Sequence, residues 1–183
     1  MRPFLLFLLP VIILISCSPV YVPNVRNVPL FKGAGEIQGK IFYNPLVGVG
    51  GSGFDAQGAL SVTNHIALIG SYSKSQNINN DKTVDSNPYF KHHSYEAGGG
   101  YYKIFAERHA LEVFGGYGEG SGTTYINYYN LQPGSPTLFN YERYFLQPTY
   151  GLILKRVSIA LSARVSQVNF KDYTANGVKY TLN

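Results

Sequence analysis

The chain has 183 residues, among them 20 Gly, 16 Tyr, 11 Phe and no Trp, with 14% charged residues and a net charge of +5. Such a length fits one domain behind a leader, and glycine and aromatic enrichment with sparse charge suits short strands meeting at tight bends, not a helical enzyme domain. The positive charge is scattered with no Lys/Arg run, which excludes a nucleic-acid surface and leaves no nucleic-acid partner expected.

Residues 1–16 have the make-up of a lipoprotein signal peptide: Arg2, an apolar stretch from Phe4 to Ile15, then small Ser16. At roughly a dozen residues the stretch is short of the ~20 that a membrane helix needs. The run Leu14-Ile15-Ser16-Cys17 closes it. It resembles the bacterial lipobox, and that resemblance implies a diacylglyceryl group on Cys17, which becomes the mature N-terminus. Cys17 is the lone cysteine, so no disulfide competes for it. Residues 17–32 then read as a Pro-rich tether with Pro19, Pro23 and Pro29 and no periodicity that predicts a packed element.

From residue 33 to 183, period-two alternation recurs, the mark of strands with two different faces. Strands are expected at Glu36 to Tyr43, Phe54 to Thr63, Ile66 to Ser73, Ser94 to Phe105, Leu111 to Gly118, Arg143 to Lys155 and Val157 to Ser166, with a short further one at Val178 to Leu182. In the clearest case Val157, Ile159, Leu161, Ala163 and Val165 oppose Ser158, Ala160, Ser162, Arg164 and Ser166. Pro148 requires a bulge or an unpaired amide in its strand. Gly98-Gly99-Gly100 and Gly115-Gly116 precede no helix pattern, so they mark bends or places where large side chains lie across the backbone, not phosphate loops.

Tight turns at Thr63-Asn64-His65, Ala106-Glu107-Arg108 and Lys155-Arg156 alternate with longer connections that gather at the other end. That asymmetry belongs to outer-membrane barrels, with short periplasmic turns and long outward loops. Only a closed sheet can cross lipid without orphaned amides. The expected fold is therefore all-β: a small antiparallel up-and-down β-barrel of about eight strands over 33–183, incomplete at its C-terminus because the last strand is too short to cross. Its apolar face meets acyl chains, while Glu36, Lys40, Asp55, Gln57, Glu112, Gln147 and Arg164 form a polar network of the barrel interior, and Tyr43, Tyr72, Tyr117 and Tyr144 supply an interfacial girdle.

The lipobox with Tyr21-Val-Pro-Asn24 and Asn27-Val-Pro-Leu30, then Gly53-Phe-Asp-Ala-Gln-Gly58, Phe114-Gly-Gly-Tyr-Gly118 and Gln147-Pro148, resembles a group of small Bacteroidota lipoproteins with an outer-membrane β-barrel-like domain and no assigned function. The resemblance implies a barrel in the outer membrane, not a reaction. The chain departs from that class in ending on Asn183 instead of an aromatic residue, and Ser18-Pro19-Val20 lacks an acidic export run, which favours a lipid facing the periplasm.

Catalytic patterns are sparse. His92-His93 reads as a pair of solvated loop histidines, with no spacing that adds metal ligands, and Asp81 and Asp85 lack an ordered calcium pattern. No cofactor, metal or catalytic residue is expected. Three functions stay open. The first is a lipid-anchored outer-membrane barrel with a structural or surface-interaction role, not an enzyme, whose partners are membrane lipid through Cys17 and proteins reached by the loops around 74–91 and 119–141. The second is a soluble lipid-tethered barrel holding an apolar small molecule inside. The third is an outer-membrane lipid-modifying enzyme using His109 and Glu112.

Overall fold

The computed structural model describes residues 27–46, 51–77, 89–125, 137–175 and 178–181. The expected signal peptide, Cys17, most of the expected tether, Asp81 and Asp85 lie outside the described residues.

Among the described residues the regular elements are all strands: β1 (Ile37–Leu46), β2 (Gly51–Ser61), β3 (Ile66–Asn77), β4 (Tyr89–Phe105), β5 (His109–Tyr125), β6 (Thr137–Ile153), β7 (Ser158–Ser162), β8 (Val165–Ala175) and β9 (Val178–Thr181). They form one antiparallel sheet in the order β1-β2-β3-β4-β5-β6-β8-β9, with β7 also paired to β6. Apart from β7 and β8, which both pair with β6, each strand neighbours the next, the up-and-down path that the alternating connections predict.

Pro148 explains why β7 and β8 are separate. Thr149 pairs Ser162 and Leu146 pairs Val165 in one unbroken register, so the two are a single strand interrupted opposite Gln147 and Pro148. Ala163 donates its N–H to the Pro148 carbonyl at 3.1 Å, but proline has no N–H to return. The unpaired amide expected at Pro148 is therefore the break in the partner strand.

The sheet is not closed. Among the described residues β1 pairs only with β2, and no ladder joins its other edge to β7, β8 or β9. The sheet nonetheless curls: Arg164, between β7 and β8, reaches Glu96 on β4 across the two intervening strands.

The structure differs from the sequence expectation in several regions. Strands β1 to β6 run on toward the loop end, so that residues 44–46, 51–53, 74–77, 89–91, 119–125 and 137–141, expected as connections or loop, are strand. Consequently His92 and His93 are β4 residues, and His92 is fully buried where a solvated loop histidine is expected. Residues 27–32, expected as the end of a tether without packed structure, lie against the inner face, with Asn27 and Phe31 buried. Their backbone groups have no strand partner, so no periodic signal betrays them.

The faces separate by chemistry in the opposite sense to a water-soluble sheet. Exposed positions include Ile37 at 80%, Ile41, Leu60, Leu68, Leu146, Ile159 and Leu161 at 78%. Buried positions include Asp55, Gln57, Ser73, Glu96, Glu112, Arg143, Gln147 and Thr149. A smaller apolar cluster of Phe31, Ile69, Tyr102, Phe114 and Phe145 shares the buried side.

Glycines make room for the large inner side chains. Along β5, Gly116, Gly120 and Gly122 pair directly with Phe145, Tyr141 and Phe139 of β6. A Cβ at these glycines would lie 2.2 to 2.5 Å from the facing ring. The rings therefore lie flat over bare backbone, as the glycine runs lead one to expect. Only a Gly at these sites lets bulky rings fit inside a tightly curled sheet.

Candidate functional site

The site is the inner face together with the strap, residues 27–33, that crosses it. Period-two geometry brings the polar residues there: Glu96 comes from β4, Glu112 from β5, Arg143 and Gln147 from β6. Glu96 pairs with the Arg143 guanidinium and, at 3.0 Å, with Arg164 Nη1. Ser71 donates to the same carboxylate at 3.2 Å. Arg164 also donates from Nε to Gln147 Oε1 at 2.9 Å, and its guanidinium lies 4.4 Å from the Phe145 ring centroid. One carboxylate thus holds two cations, and the aromatic face takes up part of the second cation's field.

The strap runs through this network toward the turn end, with Leu30 in the left-handed region at φ 52°. The Asn27 carbonyl accepts from Gln147 Nε2 at 2.7 Å, the Val28 carbonyl from Lys40 Nζ at 3.3 Å and the Pro29 carbonyl from Gln38 Nε2 at 2.7 Å. Phe31 N donates to Glu112 Oε1 at 3.0 Å, and Ser61 Oγ donates to the Gly33 carbonyl at 2.5 Å. Leu30 packs over Gly151, and the Phe31 ring meets Tyr102 at 5.4 Å. Side chains from β1, β2, β5 and β6 therefore stand in for a neighbouring strand, because Pro29 cannot donate to a ladder. At the turn end the chain bends through Gly35, at φ 81°, and enters β1.

Of the expected interior residues, Asp55, Gln57, Glu112 and Gln147 are buried and Glu36, Lys40 and Arg164 half-buried on this face. Lys40, Glu112, Gln147 and Arg164 meet the strap or the Glu96 network, and Glu36 Oε1 accepts from Lys32 N at 3.1 Å. The sequence reading misses Glu96, Arg143, His92 and Asn27. Arg143 alternates with Tyr141 and Phe145 on a strand whose other face carries Tyr144 and Leu146, so hydropathy contrast is weak there. His92 Nε2 lies 2.8 Å from Tyr141 Oη, with the rings stacked at 5.8 Å.

The outer face carries two aromatic rows. Toward the loop end Tyr72 pairs Tyr95, and Tyr117 pairs Tyr144; Tyr43 lies on β1 opposite Phe54. The four tyrosines expected as a girdle all belong to this row. Tyr95 Oη donates to Glu119, and Tyr117 Oη lies 2.6 Å from Glu119 Oε1 and 2.8 Å from Glu142 Oε1. Lys171 bridges Glu142 and, at 3.8 Å, Glu119. The rings thus cap an apolar band and their hydroxyls reach a charged row beyond it. Toward the turn end Tyr101, Phe105 and Tyr150 form the other row, where His109 Nδ1 lies 2.5 Å from Tyr150 Oη and His65 stacks on Tyr101. Between Tyr117 and His109 the strand rises about 27 Å at ~3.4 Å per residue, or about 20 Å once tilted by ~40°.

His109 is on the outer face and Glu112 on the inner face of β5, so the pair considered for lipid hydrolysis does not converge on one reacting atom. Among the described residues no group of three or more His, Cys, Asp or Glu could hold a metal ion.

Comparison with family models, with curated proteins and with solved structures found no match for the chain.

Proposed function

We propose that this chain is a small membrane-embedded β-sheet protein of the outer-membrane type, with a structural or surface-interaction role and no catalysis. The observation that carries this reading is the reversed burial: aliphatic and aromatic side chains occupy the exposed face, while Glu96, Arg143, Glu112 and Gln147 are buried. In water, a continuous apolar surface of that extent is an aggregation liability. Against acyl chains it costs nothing, and a polar interior is then the only place where charges find partners. The aromatic rows at both margins and the charged row beyond one of them favour the same setting.

Within this reading the short turns and a diacylglyceryl group on Cys17 face the periplasm, and the loop end is the surface for protein partners. The likeness to small Bacteroidota lipoproteins belongs with it. A soluble carrier of apolar molecules is less well supported, because its apolar residues would need to line the interior, which is polar and crossed by the strap.

Membrane extraction tests the proposal. The Cys17→Ala protein, exported by its own leader, is expected to stay with membranes in carbonate and high salt and to require detergent. Release without detergent would overturn the embedded reading and leave a lipid-tethered soluble protein.

A further inference from the structure

The carboxylates of the chain are unevenly placed. Of its 10 Asp and Glu residues, Asp55, Glu96 and Glu112 are buried on the inner face, and Glu119, Glu142 and Asp172 lie at the loop end with their lysine partners. Asp81 and Asp85 fall in sequence between Asn77 and Tyr89, the loop-end termini of β3 and β4. Glu36 accepts from Lys32 N beside the strap. Glu107, in the turn between β4 and β5, is the one that remains for that corner of the turn end.

Four cations share the same corner. Lys103 points outward from β4 in one row with Leu111 and Tyr150. Arg108 closes the β4–β5 turn, and its carbonyl accepts from Ile153 N at 2.7 Å, which holds that turn beside the next one. The next turn carries Lys155 and Arg156 and is closed by Leu154 N donating to the Val157 carbonyl at 2.9 Å. From β4 to β7 the patch is about 14 Å wide at the usual spacing between strands. All four side chains are exposed, and among the described residues none lies within ion-pair distance of a carboxylate. By contrast Arg143 and Arg164 are held by Glu96, Lys171 by Glu142 and Lys179 by Asp172. Four cations to one carboxylate leave the corner positive, and the charge that balances it comes from outside this set of side chains.

We infer that Lys103, Arg108, Lys155 and Arg156 form a binding site for the phosphate of an anionic lipid headgroup, in the leaflet on the side of the short turns. This inference rests on the embedded reading above. The row of Tyr101, Phe105 and Tyr150 marks the boundary between hydrocarbon and headgroups, and long basic side chains at that depth extend to the phosphate layer. The two guanidiniums present paired N–H donors that match phosphate oxygens, and the two lysines add point charges. Free phosphate carries the same charge without acyl chains. Leu111 and Tyr150, each 44% exposed in the row of Lys103, favour the lipid, whose chains they meet.

Electron spin resonance of spin-labelled lipids tests the site, with the full chain reconstituted in phosphatidylcholine bilayers and a trace of labelled phosphatidylglycerol or labelled phosphatidylcholine. The motionally restricted fraction is expected to favour phosphatidylglycerol by about fivefold or more, and the preference to weaken as salt is raised. Replacing Arg108, Lys155 and Arg156 together by Gln should bring it to the level of phosphatidylcholine. Glu107→Gln, which removes the one opposing carboxylate, should strengthen it, so the site stays testable if the triple variant does not fold. Equal restriction of the two lipids by the unmodified chain would overturn the inference. So would a preference that survives the triple change, or one lost instead in a variant with Lys74→Gln and Lys91→Gln at the loop end. Inorganic phosphate should displace the labelled lipid no more than sodium chloride of equal ionic strength; stronger displacement would assign the corner to free phosphate. Absence of restriction for both lipids marks failure of the embedded reading itself, which carbonate extraction reads independently.

Discussion

Glu96 and Arg143 form an ion pair on the inner face of the sheet, with 4% and 2% of their side-chain surfaces exposed. Arg164 shares the carboxylate from the opposite side of the network, at 3.0 Å. Glu96 thus compensates a buried and a half-buried cation at once, and its loss is not equivalent to the loss of either arginine.

Glu96→Ala is expected to destabilise the protein by about 3–5 kcal/mol, because it leaves Arg143 uncompensated in a low-dielectric interior. Combining it with Arg143→Met should cost clearly less than the sum of the single changes. Urea unfolding in detergent or lipid, followed through tyrosine fluorescence, reads both; simple additivity would mean that the pair is not coupled.

The glycine row gives a second expectation. Gly116→Ala places a Cβ 2.4 Å from the Ala97 carbonyl and 2.5 Å from the Phe145 ring, so backbone and ring must both shift. Overpacking of this kind costs about 1–3 kcal/mol. Gly58→Ala, on the outer face with nothing within 4 Å of the new Cβ, should be neutral or slightly stabilising. Thermal midpoints of the two variants measured side by side decide it, and equal losses would discount the ring-on-glycine packing.

Phe31 is fully buried although it precedes the first strand. Phe31→Ala should therefore cost about 3–5 kcal/mol, the range for truncating a core phenylalanine. A loss near zero would mean that the strap does not contribute to the folded state. Proteolysis within residues 27–33 should become faster in the same variant.

At the turn between β4 and β5, Ala106 and Glu107 adopt φ of 47° and 63°. Side chains are strained in this left-handed region, whereas glycine is not. Glu107→Gly is expected to stabilise the turn by up to about 1 kcal/mol, visible as a raised unfolding midpoint. A lowered midpoint would show that the Glu107 side chain contributes more than its backbone costs.

Acid should loosen β9 first. Asp172, beyond the charged row at the loop end, accepts from Asn140 Nδ2 at 2.8 Å and pairs with Lys179 of β9 at 3.1 Å. These two partners, Asn140 first, hold its carboxyl below the usual aspartate range. Because the folded value is depressed, the stabilisation is present above the ordinary aspartate pKa and is lost as pH falls through the lowered one. Amide exchange at Val178 to Thr181, corrected for intrinsic rates, should therefore quicken in that acidic window and be insensitive to pH in Asp172→Asn.

The alternation in Phe54 to Thr63 and Val157 to Ser166 made an antiparallel up-and-down sheet legible, since period two survives whatever the strands pack against. Turn residues located the short connections for a similar reason: Thr63-Asn64-His65 and Ala106-Glu107-Arg108 interrupt that period locally. Interior polar residues such as Glu112, Gln147 and Arg164 were legible because they stand opposite aliphatic neighbours. Glu96 and Arg143 were not, since Glu96 stands among Ser94, Tyr95, Ala97 and Gly98, and Arg143 among Tyr141, Glu142, Tyr144 and Phe145, which flattens the contrast between the faces. His92 was hidden by the same ambiguity at the loop end of β4.

By itself, then, the sequence determined that the chain makes strands with two unlike faces and where most of them begin and end, because local periodicity and turn chemistry act over a few residues. Only the tertiary structure decided which face is buried, that residues 27–33 cross the interior, and that among the described residues β1 pairs with β2 alone. Those outcomes depend on curvature and on contacts between residues as far apart as Asn27 and Gln147, and a one-dimensional pattern, which assigns residues to faces, says nothing about what either face meets.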